Sequence, residues 1–169
     1  MIAFPRRRGS RSRIKSGMTK RIVILENIRS LHNVGAIFRT ADGAGWDKVF
    51  LTGYTGCPPD RRIEKVSLGA ENFIEWEHAE NTRNLCKILK NDGFEICALE
   101  QTEKSENLFS AKNFGKKIAL VLGNEVEGGT PEVLEMCDRY FEIPMHGQKK
   151  SLNVSVAAGV ALYELGRKN

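Results

Sequence analysis

From Arg21 onward, short apolar blocks of strand length alternate with stretches whose apolar residues recur at helical spacing. The blocks are "RIVILEN" (21–27), "KVFLTG" (48–53), "FEICALE" (94–100), "KKIALVLG" (116–123) and "RYFEIPM" (139–145). Between them, "NVGAIFRTADGAG" puts Val34, Ile37, Phe38 and Ala41 on one stripe. "NTRNLCKILKNDG" does the same with Leu85, Ile88 and Leu89, and ends at Gly93, a residue suited to the position just past a helix C-cap. "TPEVLEMC" opens with Thr130 as N-cap, Pro131 at the first helical position and Glu132 in the first turn. "SLNVSVAAGVALYE" (151–164) predicts a buried closing helix behind two polar residues, Ser151 and Asn153. Strands alternating with helices predict an α/β fold, a mostly parallel sheet flanked by helices. Ligands of such sheets sit beyond the carboxyl ends of the strands. That rule singles out three loops, within "LENIRSLHN", "LGNEVEGGTP" and "IPMHGQKKSLN".

Composition narrows the class. The 169 residues, 41% hydrophobic and 28% charged, describe one soluble globular domain, which at this size buries roughly 70% of its unfolded surface. No apolar run approaches the ~20 residues of a membrane span. The first residues, "MIAFPRRRGSRSRIKSG", lack the apolar region of a secretory signal, so a cytoplasmic protein is expected. Cys57, Cys86, Cys97 and Cys137 are irregularly spaced with no CxxC pair and read as reduced thiols. No metal-ligand spacing joins His32, His78 and His146, so no metal is expected.

Charge divides the chain in two. Residues 1–21 hold eight of the 26 basic residues and no acid, which leaves 18 basic against 21 acidic residues in the remainder. Residues 1–20 are therefore expected to form a disordered basic arm, and residues 21–169 the folded domain. Phosphate contact with a nucleic acid is one role for such an arm, and a solubilising tail is another. A dinucleotide-binding domain is disfavoured, because neither the first strand nor "LTGYTG" after the second supplies G-x-G-x-x-G.

Three stretches carry a family resemblance. Asn33 and Arg39 in "NVGAIFRTAD", then "LVLGNEVEG", then "IPMHGQKKSLNVSVAAGVALYE" resemble the successive motifs of the SpoU/TrmH family of RNA ribose 2′-O-methyltransferases, within the SPOUT superfamily. The resemblance runs from about Arg21 to Gly166. It implies a C-terminal deep trefoil knot, a homodimer, and S-adenosylmethionine bound in the knot. Periodicity alone never proposes a knot, because knots are rare exceptions among folds.

The resemblance also assigns roles. Leu99, Gly123, Ile143, Met145, Ser151 and Leu152 are expected around the cofactor, and Arg39, Asn33, Glu125, Ser151 and Asn153 form the expected catalytic set. Methyl transfer needs the accepting oxygen in line with the S–CH3 bond, so most of the catalysis is positioning. A guanidinium does not give up its proton, which favours Arg39 as a cation beside the developing alkoxide over Arg39 as a base. Asn33 also suits a helix N-cap, as Ser151 does for the last helix, while Asn153 is poorly explained by helix chemistry alone. Glu125 matches the family's glutamate, and Glu127 has a weaker claim. Ala157, Ala158, Gly159 and Ala161 permit close helix packing. RNA contacts are expected at Arg39, Lys149 and Lys150, and at Arg61, Arg62 and Lys65 in "GCPPDRRIEKVSLGAE", where a solvated charged face is the other reading. Several relatives carry a large N-terminal RNA-binding domain or a long helical C-terminal extension. This sequence shows neither, so the dimer surface and the arm are expected to supply RNA selectivity. The expected activity is S-adenosylmethionine-dependent methylation of an RNA ribose 2′-hydroxyl, with tRNA favoured as substrate, rRNA the alternative, and the nucleotide open. A knotted RNA-binding module without catalysis is the alternative.

Overall fold

Each apolar block of the sequence becomes a strand, and the central ones are covered on both faces. In β1 (Lys20–Glu26), Val23 and Leu25 face one cluster of buried side chains while Ile22 and Ile24 face another. β6 (Lys117–Leu122) repeats the pattern, with Ile118, Leu120 and Leu122 on the first face and Ala119 and Val121 on the second. Strands buried on both faces need continuous apolar runs, which is why these segments do not alternate. Each fully buried Val, Leu or Ile contributes about 1.5–3 kcal/mol relative to exposure.

The computed structural model describes residues 19–167. The basic arm, apart from its last two positions, lies outside the described residues. Lys20, expected in that arm, is instead the first residue of β1, where its N–H donates to the carbonyl of Lys116 at 2.7 Å. After β1 the chain runs through α1 (Leu31–Gly43), β2 (Lys48–Thr52), α2 (Arg61–Ser67), a 3-10 turn (Ala70–Asn72), β3 (Glu75–Ala79) and α3 (Thr82–Asn91). β4 (Glu95–Leu99), β5 (Glu106–Asn107), β6, α4 (Pro131–Leu134), β7 (Arg139–Glu142) and α5 (Val154–Arg167) complete it. The sheet has seven strands in the order β3-β2-β1-β6-β4-β7-β5, all pairs parallel. Val23 of β1 stands between Val49 of β2 and Leu120 of β6. The chain builds outward from β1 to β3 and then crosses to the other half. β1 and β6 therefore flank the point where strand order reverses, the usual ligand crevice of such sheets.

Helices α1 and α5 cover one face and α3 and α4 the other. α5 is anchored by Ala158, Ala161, Leu162 and Leu165, all fully buried, and by Trp46, whose indole N–H donates to the carbonyl of Leu162 at 2.9 Å. Gly159 faces Thr40 of α1, where a Cβ would make an ordinary contact with the Thr40 methyl at 3.7 Å, so the helix approach does not depend on this glycine.

Several elements differ from the sequence expectation. The "GCPPDRRIEKVSLGAE" stretch contains α2, capped by Asp60 and burying Ile63 and Ser67. β3 reads "EWEHA" and is an edge strand with little apolar content, held by Lys48 reaching Glu75 at 2.9 Å and Glu77 at 3.0 Å. β5 is only two residues long. Neither edge strand has an apolar run to reveal it. In α3 the buried stripe is Leu85, Cys86 and Leu89, and Ile88 points outward, 59% exposed. Gly93 does follow that helix with φ +82°. Thr130 stands at the N-cap of α4, but its hydroxyl donates to Glu26 Oε1 at 2.8 Å rather than capping the helix.

Candidate active site

The loops leaving β4, β6 and β7 meet the start of α5 around a cavity of ≈ 280 Å³. Leu99, Gly123, Ile143, Met145, Ser151 and Leu152 all line it, together with Glu125 and Lys150. These side chains come from positions up to about fifty residues apart, and the parallel sheet gathers them at its carboxyl edge.

The wall of this cavity is the loop from Gly123 to Thr130, folded on itself. Asn124 and Gly128 exchange both N–H···O bonds at 3.0 Å, and Asn124 Oδ1 accepts from the N–H groups of Val126 (2.9 Å) and Glu127 (3.0 Å). Three carboxylates fasten the loop to its surroundings. Glu100 accepts from Gly129 N–H at 2.9 Å. Glu26, 2% exposed, accepts from Thr130 N–H at 3.1 Å and from the Thr130 hydroxyl. Glu125 reaches back to the N-terminus of α1. There it accepts from Arg29 N–H and Ser30 N–H, each at 3.0 Å, and from Asn33 Nδ2 at 3.0 Å.

Burial by itself raises the Glu125 pKa, but the hydrogen bonds from Arg29, Ser30 and Asn33 outweigh it, and the net direction is downward. A lowered folded pKa stabilises the fold above the unfolded value, about 4.3, and the contribution disappears as pH falls through the folded value. Glu125→Gln is therefore expected to cost about 2 kcal/mol at pH 7, roughly 4–8 °C in Tm. The Tm gap to wild type, followed by thermal melts from pH 7 downward, should shrink below about pH 4. A gap that ignores pH would mean the carboxylate charge does not hold the loop.

Asn33 and Asn153 continue the network. Asn153 Nδ2 donates to Asn33 Oδ1 at 3.3 Å, so one chain of side chains links Glu125, Asn33 and Asn153. The capping roles differ from expectation. Ser30, not Asn33, is the N-cap of α1, which frees the Asn33 amide for Glu125. Asn153, not Ser151, precedes α5 with capping bonds, its Oδ1 accepting from Ser155 N–H at 2.9 Å and its carbonyl from Ala157 N–H at 2.9 Å. Ser151 is left exposed on the cavity wall.

Arg39 stands apart. It is exposed, and six residues beyond Asn33 place it about 120° around the helix axis from that side chain. It is not among the cavity-lining residues. Lys149 and Lys150 are exposed and border an open groove beside the cavity, with Glu103 and Glu142. Arg62 is engaged with Asp60, donating from Nε at 3.1 Å and from Nη2 at 2.9 Å, and these bonds hold the Asp60 carboxyl at about 2. Arg61 and Lys65 are exposed on the same short helix. His32 and His146 are exposed, and Glu127 reaches the network only through its main chain.

Sequence reasoning did not single out Glu100 or Asn124. Both lie just beyond a strand's carboxyl end, where the crevice rule pointed, but only the fold shows that Glu100 braces the Gly128–Gly129 backbone. Among the described residues, no group of three or more His, Cys, Asp and Glu is placed to hold a metal ion. Among them, too, no helix is long and apolar enough to cross a membrane.

Residues 20–163 match the SpoU rRNA Methylase family. A tRNA (guanosine(18)-2′-O)-methyltransferase of Aquifex aeolicus is 36% identical over 148 residues, covering 87% of this chain and 69% of that protein. A putative TrmH family tRNA/rRNA methyltransferase of Staphylococcus saprophyticus is 34% identical over 147 residues, of which the chain spans 58% of the relative's length. In structure, the AdoMet-bound rRNA methyltransferase of Sinorhizobium meliloti superimposes with a TM-score of 0.82 at 27% identity, over 89% of this chain and 57% of that one. A parallel α/β sheet with a polar network at its carboxyl edge defines the class, and the chain belongs to the SpoU methylase family.

Proposed function

We propose that this chain is an RNA ribose 2′-O-methyltransferase that uses S-adenosylmethionine and acts on tRNA rather than rRNA. The observation that carries this reading is the hydrogen-bonded line Glu125–Asn33–Asn153, which starts at a residue of the cavity wall and ends between the lining residues Leu152 and Val154. The tRNA preference rests on the Aquifex relative, whose name specifies a tRNA ribose.

The residues present suit the cofactor. Leu99, Leu122, Phe141, Ile143 and Leu152 make apolar walls for an adenine, and the acids Glu100, Glu125 and Glu142 suit a cationic ligand. Leu99, Gly123, Ile143, Met145, Ser151 and Leu152 would hold it. When bound, S-adenosylmethionine supplies an electrophilic methyl group on a sulfonium. The chain's part is then to orient and to shape charge. Asn33 and Asn153, fixed by Glu125 and by the α5 cap, position the ribose. Arg39 acts as a cation on the RNA phosphate and the developing 2′-alkoxide. Lys149 and Lys150 meet neighbouring phosphates.

We further infer a homodimer and a C-terminal deep trefoil knot formed by the Gly123–Thr130 and Ile143–Asn153 segments. Exposed apolar side chains at Leu152 (39%), Val156 (52%) and Tyr163 (56%) support a partner surface along α5. So does the position of Arg39 outside the cavity of its own chain, which a second subunit can complete. Four free thiols, two of them buried, support a reducing, cytoplasmic setting. The basic arm and residues Arg61 and Lys65 serve as further phosphate contacts.

Calorimetry with S-adenosylmethionine tests the cofactor, and mapping of methylated riboses in RNA from a deletion strain tests the substrate. The expected results are saturable binding and the loss of one tRNA ribose methyl group. A protein that binds RNA and gives no heat with the cofactor would support a non-catalytic binding module instead. Light scattering should give about twice the 18.9 kDa chain mass.

A further inference from the structure

The loop leaving β2 presents an aromatic ring that is exposed yet held at both ends. Tyr54 is 60% exposed. Its N–H donates to Asn27 Oδ1 at 3.3 Å, and its hydroxyl accepts from Asn124 Nδ2 at 2.8 Å. Asn124, 7% exposed, donates from the same nitrogen to the carbonyl of Asn27 at 2.8 Å while its Oδ1 caps the turn that carries Glu125. The ring is therefore tied to the wall of the cavity itself, of which Asn124 and the exposed Val126 are lining residues.

The rest of the loop is equally constrained. Thr55 is buried, donates from its hydroxyl to the carbonyl of Leu25 at 2.9 Å and accepts from Ile28 N–H at 3.0 Å. His78 Nε2 lies 3.1 Å from the carbonyl of Gly53. Gly53 has φ +61°, and a Cβ there would overlap Asn27 Oδ1, the atom that holds the Tyr54 amide. Exposed Arg29 precedes α1 beside the Glu125 carboxylate, and exposed Arg61 opens the helix that this loop leads into. A solitary exposed tyrosine is ordinary. A ring fixed through both its main chain and its hydroxyl, and bonded to a residue that lines the cavity, is a surface prepared for a flat ligand.

We propose that Tyr54 is a stacking platform for one nucleobase of the bound RNA, at the methylated nucleotide or at one of its two neighbours. The proposal rests on the methyltransferase reading above. An immobilised ring offers stacking area with little ordering entropy left to lose, and sequence-specific RNA recognition takes unstacked bases onto aromatic side chains. Removing such a platform lowers RNA affinity about 10- to 100-fold.

The test is methyl transfer from labelled S-adenosylmethionine to unfractionated tRNA, and then to an oligoribonucleotide spanning the modified site. Tyr54→Ala and Tyr54→Leu should raise KM for RNA about 10- to 100-fold, with kcat and cofactor affinity within about threefold of wild type. Tyr54→Phe and Tyr54→Trp, which keep a ring but lose the tether to Asn124, should raise KM by no more than about threefold and leave cofactor affinity unchanged. Oligonucleotides made abasic in turn at the methylated position and its two neighbours supply the direct readout. At one of the three, wild type and Tyr54→Ala should become equal. If the hydroxyl merely braces Asn124, Tyr54→Phe will fall with Tyr54→Ala and cofactor affinity will fall in both, which overturns the stacking site. Unchanged KM in Tyr54→Ala, or a deficit that survives all three abasic substitutions, also overturns it. Wild-type protein that methylates no RNA overturns the activity itself and the stacking site with it.

Discussion

Arg39→Ala is expected to lower methyl transfer about 10²- to 10³-fold while S-adenosylmethionine affinity stays within about twofold of wild type. The separation follows from placement. Arg39 is exposed on α1 and lines no part of the cavity, so its loss leaves the Leu99–Gly123–Ile143 walls and the Glu125 network untouched. The Tm should also be unchanged, because surface substitutions away from caps and networks are nearly neutral. Arg39→Lys separates two chemistries. A cation that stabilises an alkoxide keeps part of its effect in lysine but loses the bidentate fork, so intermediate activity is expected across the pH range. A proton acceptor would behave otherwise, since lysine deprotonates near pH 10.4 and arginine does not. An Arg39→Lys profile that climbs towards wild type above pH 9 would restore the base role. Full activity in Arg39→Ala would remove Arg39 from the chemistry.

Gly123→Ala carries the largest expected effect on the fold. A Cβ on residue 123 would overlap the backbone of Gly128 and Gly129 and lie 2.7 Å from the Gly128 carbonyl oxygen. Backbone has no alternative rotamer, so the clash cannot be relieved as an overpacked side chain relieves one. The displaced segment is the one pinned by Glu100 and Glu26 and turned by Asn124. A cost above about 3 kcal/mol is expected, a Tm lowered by roughly 10 °C, and no measurable cofactor heat by calorimetry. Gly147→Ala is the matched control, because nothing stands within 4 Å of a Cβ at that position. Equal melting curves for the two variants would show that the 123–130 loop is not the rigid wall described.

Core strands were legible and edge strands were not, for one reason. A strand covered on both faces needs an apolar run, as in Ile22–Leu25 and Ile118–Leu122. An edge strand such as Glu75–Ala79 is held by pairing and by Lys48, and these leave no hydrophobic trace. The same limit applied to caps. Ser30, Asn33, Ser151 and Asn153 all have capping chemistry, and only the helix boundaries decide which of them caps and which are free for other partners.

The amino-acid order by itself determined the α/β class, the three polar loops at strand ends and the motifs that mark the family. Those properties depend on residue type and short spacing. The tertiary structure alone decided that Glu125 closes on the start of α1, that Asn33 bonds Asn153 across 120 positions of chain, and that Tyr54 is tethered to Asn124. Such contacts follow from strand order, because a parallel sheet brings the carboxyl ends of β1, β2 and β6 together whatever their distance along the chain.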